Sequence, residues 1–352
     1  MSPSFMEHAI ILAEKGKGKV KARPLVGCLI VKEGKVIAAG FHGEKGRKHA
    51  EAIALEKASR QAKGADLHCT LEPCSHRGLT GPCAEKIIRA GAARVFIGAL
   101  DANPKVRGKG IALLQKAGIE VQCGMLESKC LQLNDYFNKW IQTKTPFVVL
   151  KSALTRDGFI SWGDGKRKKI SGKEADKFVQ DYRAECDCLL VGIGTVLKDD
   201  PRLTCRKKGA RNPVRVILDS ELRIPIKAKL LVEKGKTIIF HSSGADIKKR
   251  KALERKRAEC ISVKGKEGEL DLKDVLKALG EKNYMSVLVE GGQKVNTSFL
   301  REGLVDRIVL IFSRKEVGRG LEFCNDSISR DLKIKKGSIR QLGKDVLVEG
   351  YL

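Results

Sequence analysis

The chain has 352 residues, too many for one ordinary hydrophobic core and suited to two domains. It is 42% hydrophobic and has no uninterrupted apolar run of membrane-spanning length, so it reads as soluble and globular, without a membrane partner. A formal net charge of +27 would by itself suggest a nucleic-acid partner, but the basic residues are spread over both halves, and only 5% of the chain is Phe, Trp or Tyr, too few for base-stacking platforms.

The elements follow in chain order. Phe5–Glu14 is apolar on one helical face, but it carries Glu7 and His8 and no small-residue cleavage site follows, so it reads as a first helix and not a signal peptide. A hairpin, Val26–Val31 and Val36–Gly40, turns at Lys32-Glu33-Gly34. Then come helix Ala50–Lys63, strand Asp66–Leu71, helix Cys83–Ala90, strand Arg94–Ala99, helix Gly108–Ala117 and strand Ile119–Cys123. This alternation predicts a central sheet flanked by helices. The pattern breaks around Trp140–Pro146, and a boundary is expected near residue 145, giving domains 1–144 and 145–352.

The second part alternates strands Phe147–Lys151, Cys188–Gly192, Val214–Leu218, Thr237–His241, Ser286–Glu290 and Arg307–Phe312 with helices Lys173–Ala184, Leu270–Leu279 and Val295–Glu302. It too reads as α/β. The basic cluster Lys248–Lys251 with Arg255–Arg257 falls in a helical stretch and reads as a solvated face. Eleven cysteines at irregular intervals, without a secretory signal, argue against a disulfide framework and for a reducing cytoplasm. Cys28, Cys69, Cys123 and Cys188 lie in apolar segments where a buried thiol is expected.

One constellation carries chemistry. His49-Ala50-Glu51, then Pro73-Cys74, then Cys83 supply three soft zinc ligands and one free carboxylate, with both helix starts able to converge on one metal. A catalytic zinc with three protein ligands leaves a position for water, whose pKa falls to about 7. Glu51 is placed to stay off the metal and carry the proton from that water to a substrate nitrogen, as in the zinc nucleobase deaminases. A structural zinc scaffold would have no use for that carboxylate.

The eight residues between the cysteines, Ser75 to Pro82, form a longer loop than the two usual in nucleoside, nucleotide and tRNA deaminases. That loop, reading Leu71-Glu72-Pro73-Cys74-Ser75-His76 and Gly81-Pro82-Cys83, resembles the pyrimidine deaminase of riboflavin biosynthesis. So do the flanks Pro24-Leu25-Val26-Gly27, Gly40-Phe41-His42 and Asp101-Ala102-Asn103-Pro104. A nucleic-acid-binding editor would keep the zinc chemistry, but this loop and a second domain speak against it. The resemblance implies a cytidine-deaminase-like three-layer domain, with His42, Asp101 and Asn103 among the substrate contacts.

In the second part the G-x-G-x-x-G fingerprint is absent, and Gly192-Ile193-Gly194-Thr195 alone could be an ordinary tight turn. The order Lys151-Ser152-Ala153, Asp157-Gly158, Arg183, Val191–Thr195, Asp199–Arg206 and Val289-Glu290-Gly291-Gly292 is more specific. It resembles the reductase of the same pathway, similar in fold to dihydrofolate reductase, and the resemblance covers nearly the whole chain.

The family implies zinc and NADPH as cofactors, a small phosphorylated pyrimidine as substrate and no nucleic acid, and it allows a homo-oligomer. By carry-over, Ala153, Lys169, Thr195, Asp199, Ser220 and Gly292, Gln293, Lys294, Val295, Asn296, Thr297 and Ser298 would contact NADPH. Arg167, Arg183, Leu203, Arg206 and Glu290 would hold the substrate. Backbone amides after Glu290-Gly291-Gly292 open to a phosphate, and Arg183 and Arg206 offer planar forks for a sugar phosphate. Departures from the family pattern stand at Arg23, Ile53, Leu79, Arg167 and Lys169, and they bear on substrate affinity.

Overall fold

The computed structural model describes residues 4–20, 22–43, 48–76, 81–162, 168–266, 268–325, 327–328 and 332–352; Leu79 and Arg167 lie outside the described residues. The chain divides into two compact units, Met1–Lys144 and Thr145–Leu352.

In the first unit the elements are α1 (Phe5–Glu14), β1 (Gly27–Lys32), β2 (Lys35–Phe41), α2 (Ala50–Ala58), β3 (Asp66–Leu71), α3 (Cys83–Ala90), β4 (Arg94–Ala99), α4 (Lys109–Lys116), β5 (Glu120–Cys123), α5 (Glu127–Leu133) and α6 (Asp135–Thr143). The sheet order is β2-β1-β3-β4-β5, antiparallel from β2 to β3 and parallel from β3 to β5. Side chains alternate across a strand, and here each face has its own helices. Cys28 and Ile30 of β1 pack with Ala50, Ala54 and Ala58 of α2, Ala84 and Ile87 of α3 and Leu114 of α4. Leu29 and Val31 face Met6 and Ala9 of α1 and Cys130 of α5. The result is three layers, helix on sheet on helix.

Four expectations change here. Helix α2 stops at Ala58 and a single 3-10 turn, Ser59–Ala62, replaces the rest of the expected helix, because Ser59 takes a left-handed φ of 50° that no α-helix continues through. Cys123 is exposed, since β5 is the edge strand and turns most of its residues to solvent. Two short helices, α5 and α6, occupy a stretch for which no element was expected, and α6 runs on through Trp140 to Thr143, where the pattern was expected to break. In the second unit, Ile193 opens a helix where a tight turn was an alternative, with Gly192 in extended backbone as its N-cap.

The second unit runs β6 (Phe147–Leu154), α7 (Lys173–Glu185), β7 (Cys188–Gly192), α8 (Ile193–Asp199), β8 (Val214–Leu218), α9 (Lys229–Val232), β9 (Thr237–His241), α10 (Ile247–Arg255), β10 (Ala258–Ser262), β11 (Gly265–Lys266), β12 (Glu269–Leu270), α11 (Leu272–Glu281), β13 (Ser286–Val289), α12 (Gln293–Arg301), β14 (Arg307–Phe312), β15 (Lys335–Leu342) and β16 (Asp345–Tyr351). Its main sheet is ordered β10-β9-β8-β7-β13-β6-β14-β16-β15. The strands from β10 to β14 are parallel, and β16 and β15 add on antiparallel. Its central strands read as unbroken apolar runs because helices shelter both faces of a parallel sheet. Ligands in open parallel sheets collect beyond the carboxyl ends of the strands. Ala153 lies near the carboxyl end of β6, Gly192 ends β7, and Ser220 and Glu290 follow β8 and β13. Among the described residues, no helix is long and apolar enough to cross a membrane.

Candidate active sites

In the first unit, two helix starts and one strand exit deliver the donor set. His49 is the N-cap of α2, Cys83 is the first residue of α3, and Cys74 follows β3 by three positions. The donor atoms of His49, Cys74 and Cys83 all lie within 4.8 Å of one another. His49 Nδ1 is 3.5 Å from Cys74 Sγ and 3.3 Å from Cys83 Sγ, and the Cys83 amide donates to Cys74 Sγ at 3.4 Å. The hydrogen bond from the Cys83 thiol, with that from His49, draws the Cys74 thiol down to about 4 against its burial. An imidazole and two sulfurs at this separation are a fitting set for zinc.

Glu51, in the first turn of α2, is 4% exposed and is not one of the clustered donors. Burial raises its carboxyl above the usual carboxylate range, and the neighbouring His49 partly opposes this. A buried carboxyl that holds its proton more readily is what a proton shuttle requires. His42 stands beside the set, its ring centroid 5.4 Å from that of His49. Its Nδ1 donates to the Pro24 carbonyl at 2.9 Å, burial lowers its pKa to about 4, and its buried Nε2 has no protein partner. The ring is therefore neutral with Nε2 as a bare acceptor.

Asp101 and Asn103 lie on the loop after β4, where the Asn103 amide donates to Asp101 Oδ1 at 2.8 Å and Asn103 Oδ1 accepts from the Lys105 amide at 3.1 Å. Burial brings the Asp101 carboxyl up to about 6.

The second unit places a bidentate ion pair at the carboxyl edge of its sheet. Arg183 of α7 donates through Nε to Glu290 Oε1 at 3.0 Å and through Nη2 to Oε2 at 2.7 Å, while Nη1 reaches the Thr204 carbonyl at 3.0 Å. Burial opposes the charge on Glu290, yet Arg183 and Lys151 outweigh it and hold the carboxyl down to about 2, with Arg206 adding to the same field. The Arg206 amide donates to Gln180 Oε1 at 2.7 Å, and buried Leu203, beside the Thr204 carbonyl that Arg183 reaches, has a left-handed φ of 52°. The structure thus brings Arg183, Leu203, Arg206 and Glu290 to one edge.

Around them lies a glycine-lined cradle. Gly292 caps α12, and a Cβ on Gly291 would meet Val295 at 2.6 Å while one on Gly192 would meet it at 2.7 Å, so Val295 seats α12 against both turns. A Cβ on Gly292 or Gly194 would meet nothing within 4 Å, leaving backbone open to a phosphate. Asn296 is fully buried, with Nδ2 donating to the Phe323 carbonyl at 3.0 Å and Oδ1 without a partner; Thr297 Oγ1 accepts from Asn325 at 3.2 Å. Thr195 and Asp199 lie on α8, and the Ser220 carbonyl accepts from Ser242. The cradle fits a dinucleotide pyrophosphate. Lys169 is engaged elsewhere, its ammonium on Asp176 and its carbonyl on Lys315 Nζ at 2.6 Å.

Residues 2–99 match the model for the cytidine and deoxycytidylate deaminase zinc-binding region, and residues 146–348 match the model for the RibD C-terminal domain. The riboflavin biosynthesis protein RibD of Aquifex aeolicus is 41% identical over 350 residues, covering 98% of this chain and 97% of its own. The chain belongs to the RibD family. The RibD of Escherichia coli is 34% identical, with 97% of each chain covered. A Thermotoga maritima crystal structure, named as a diaminohydroxyphosphoribosylaminopyrimidine deaminase/5-amino-6-(5-phosphoribosylamino)uracil reductase, superposes with a TM-score of 0.88 at 38% identity, covering 99% of this chain and 97% of that one. As a RibD, the chain is a bifunctional deaminase and reductase of riboflavin biosynthesis, with a zinc-binding cytidine-deaminase-like domain and an NADPH-dependent, dihydrofolate-reductase-like domain.

Sequence reading missed Asn134 and gave no role to Lys151, which it named only within a motif, and both side chains shape these RibD sites. Asn134, 3% exposed, accepts from the Leu25 amide at 2.7 Å and donates to its carbonyl at 2.9 Å, which fixes the segment that receives His42. Lys151, on β6, has its charge disfavoured by burial and acts on Glu290. A polar residue inside an apolar run was the available signal for Lys151; none marked Asn134.

Proposed function

We propose that residues 1–144 carry the deaminase and residues 145–352 the reductase, with the convergence of His49, Cys74 and Cys83 beside the buried, non-ligating Glu51 as the carrying observation. The first reaction replaces the ring amine of 2,5-diamino-6-(5-phosphoribosylamino)pyrimidin-4-one by oxygen. His49, Cys74 and Cys83 would hold the zinc, which when bound would lower the pKa of the attacking water. Glu51 takes the proton of the nucleophile and returns it to the departing exocyclic amine, which leaves as ammonia, a role that its raised carboxyl pKa favours. His42 Nε2 accepts from a ring N–H, and Asp101 and Asn103, on the loop after β4, contact the same substrate.

The second reaction reduces the ribosyl group of the deaminated product to the ribityl chain of 5-amino-6-(5-phosphoribitylamino)uracil. NADPH supplies the reducing equivalents. Ala153, Thr195, Asp199, Ser220 and Gly292–Ser298 hold the dinucleotide, while Arg206 takes the sugar phosphate and the Arg183–Glu290 pair orients the acceptor, with Leu203 packed beside it. The substrate is a small acidic molecule, which suits the charge of +27 as well as a nucleic acid would. The chain works on it in the reducing cytoplasm, where its eleven thiols stay free, and a homo-oligomer is compatible with this reading.

Glu51→Gln keeps size and hydrogen bonding but cannot shuttle a proton, so ammonia release should fall by about 100-fold or more. Supplied with deaminated substrate, the same variant should oxidise NADPH at the parent rate. Loss of both activities in proportion would mean one shared site and would end the division proposed.

A further inference from the structure

Glu72 is a buried carboxylate, 3% exposed, to which the deamination chemistry assigns no part. It stands between β3 and Cys74, and its two oxygens accept four backbone amides. Oε2 takes Gly108 at 2.9 Å and Asp101 at 3.3 Å; Oε1 takes Gly110 at 3.0 Å and Ile111 at 3.4 Å. Asp101 opens the loop after β4, and Gly110 and Ile111 lie in the first turn of α4. One side chain therefore fastens both ends of that loop to the turn that carries Cys74.

Two separate observations put the loop against the donor set. A Cβ on Gly110 would lie 2.0 Å from the Pro73 carbonyl oxygen, so the start of α4 touches the backbone just before Cys74. Val106, 1% exposed, forms a small buried cluster with Cys74 and Cys83. The loop thus supplies the apolar cover of both sulfurs as well as Asp101 and Asn103.

We infer that Glu72 is a positioning residue for deamination, latching residues 101–111 across the Cys74 and Cys83 side of the site and fixing Asp101 and Asn103 relative to the donors. The inference rests on the deaminase reading of this site. An amide cannot replace this carboxylate, because its NH2 would face two N–H donors.

The test compares full-length, zinc-loaded parent with Glu72→Gln and Gly110→Ala, the second of which pushes the same loop off Pro73 with Glu72 intact. Both variants should raise the KM for deamination at least about tenfold with kcat within about threefold. Amide exchange in peptides from 101–111 should quicken, while zinc content and NADPH oxidation on deaminated substrate stay at parent values. Partial unfolding would instead lower apparent kcat and leave KM alone. An unchanged KM in Glu72→Gln, or lost zinc with loop amides still protected, would overturn the latch. A parent that released no ammonia would overturn the deaminase reading instead, and amide exchange would still decide the latch.

Discussion

Replacing Glu290 by Gln keeps the shape of a side chain that is 14% exposed but removes the charge that faces Arg183, itself 14% exposed, and Lys151. The carboxyl falls from 4.5 to about 2 in the fold, and at 1.36 kcal/mol per pKa unit this corresponds to about 3 kcal/mol of stability. Breaking a buried pair by removing one partner costs about 3–5 kcal/mol, so the two routes agree. A depressed carboxyl stabilises fully above its unfolded value and loses that contribution as pH falls toward the folded value. The gap between parent and Glu290→Gln should therefore be full at pH 7 and shrink between about pH 4.5 and 2, with roughly half gone near pH 3. Pulse proteolysis in urea, read on peptides from 145–352, measures it without interference from the first unit. A gap below about 1 kcal/mol at pH 7, or one that did not change down to pH 3, would refute the argument that this charge is held by Arg183 and Lys151.

Elemental analysis should find about one zinc per chain, and Cys74→Ala with Cys83→Ala should remove it. Arg206→Ala should raise the KM for reduction about 30-fold, equivalent to about 2 kcal/mol, and should abolish discrimination against dephosphorylated substrate in a steady-state assay. Asn134→Ala leaves the Leu25 amide and carbonyl unpaired and should cost the first unit about 2–4 kcal/mol, seen as a lower transition in calorimetry with the second unit unmoved.

How much was legible depended on whether a signal was local. Cys188–Gly192 and Thr237–His241 are largely apolar runs and Asp66–Leu71 alternates polar with apolar residues; all three fill buried strands, and the structure gives them the bounds the sequence suggests. The donor set was equally visible, because His-x-Glu and Pro-Cys place chemistry at helix starts within a few residues. Strand β15 was not, since all but its last residue are exposed and no alternation marks it; it forms only because β16 offers an edge. The contacts of Glu72, which was named only within a motif, and of Asn134 escaped for another reason. Their partners lie 29 to 39 and 109 positions away, so a single chain read in order carries no trace of the contact.

The order of the second sheet also has a kinetic consequence. Strand β6 is the first of its unit to leave the ribosome, yet it pairs with β13, Phe147 opposite Ser286, and with β14, Val149 opposite Arg307. At translation rates of about 5–20 residues per second, its partners emerge roughly 7 to 28 seconds later. Throughout that interval Phe147-Val148-Val149-Leu150 is an apolar strand with both edges open, the kind of segment that non-native pairing and aggregation favour. Folding of this unit is therefore gated by the completion of its far end, and its long-range pairings predict slow closure. Overexpression should strand the chain as insoluble material more readily at high translation rates and temperatures than under slow synthesis in the cold.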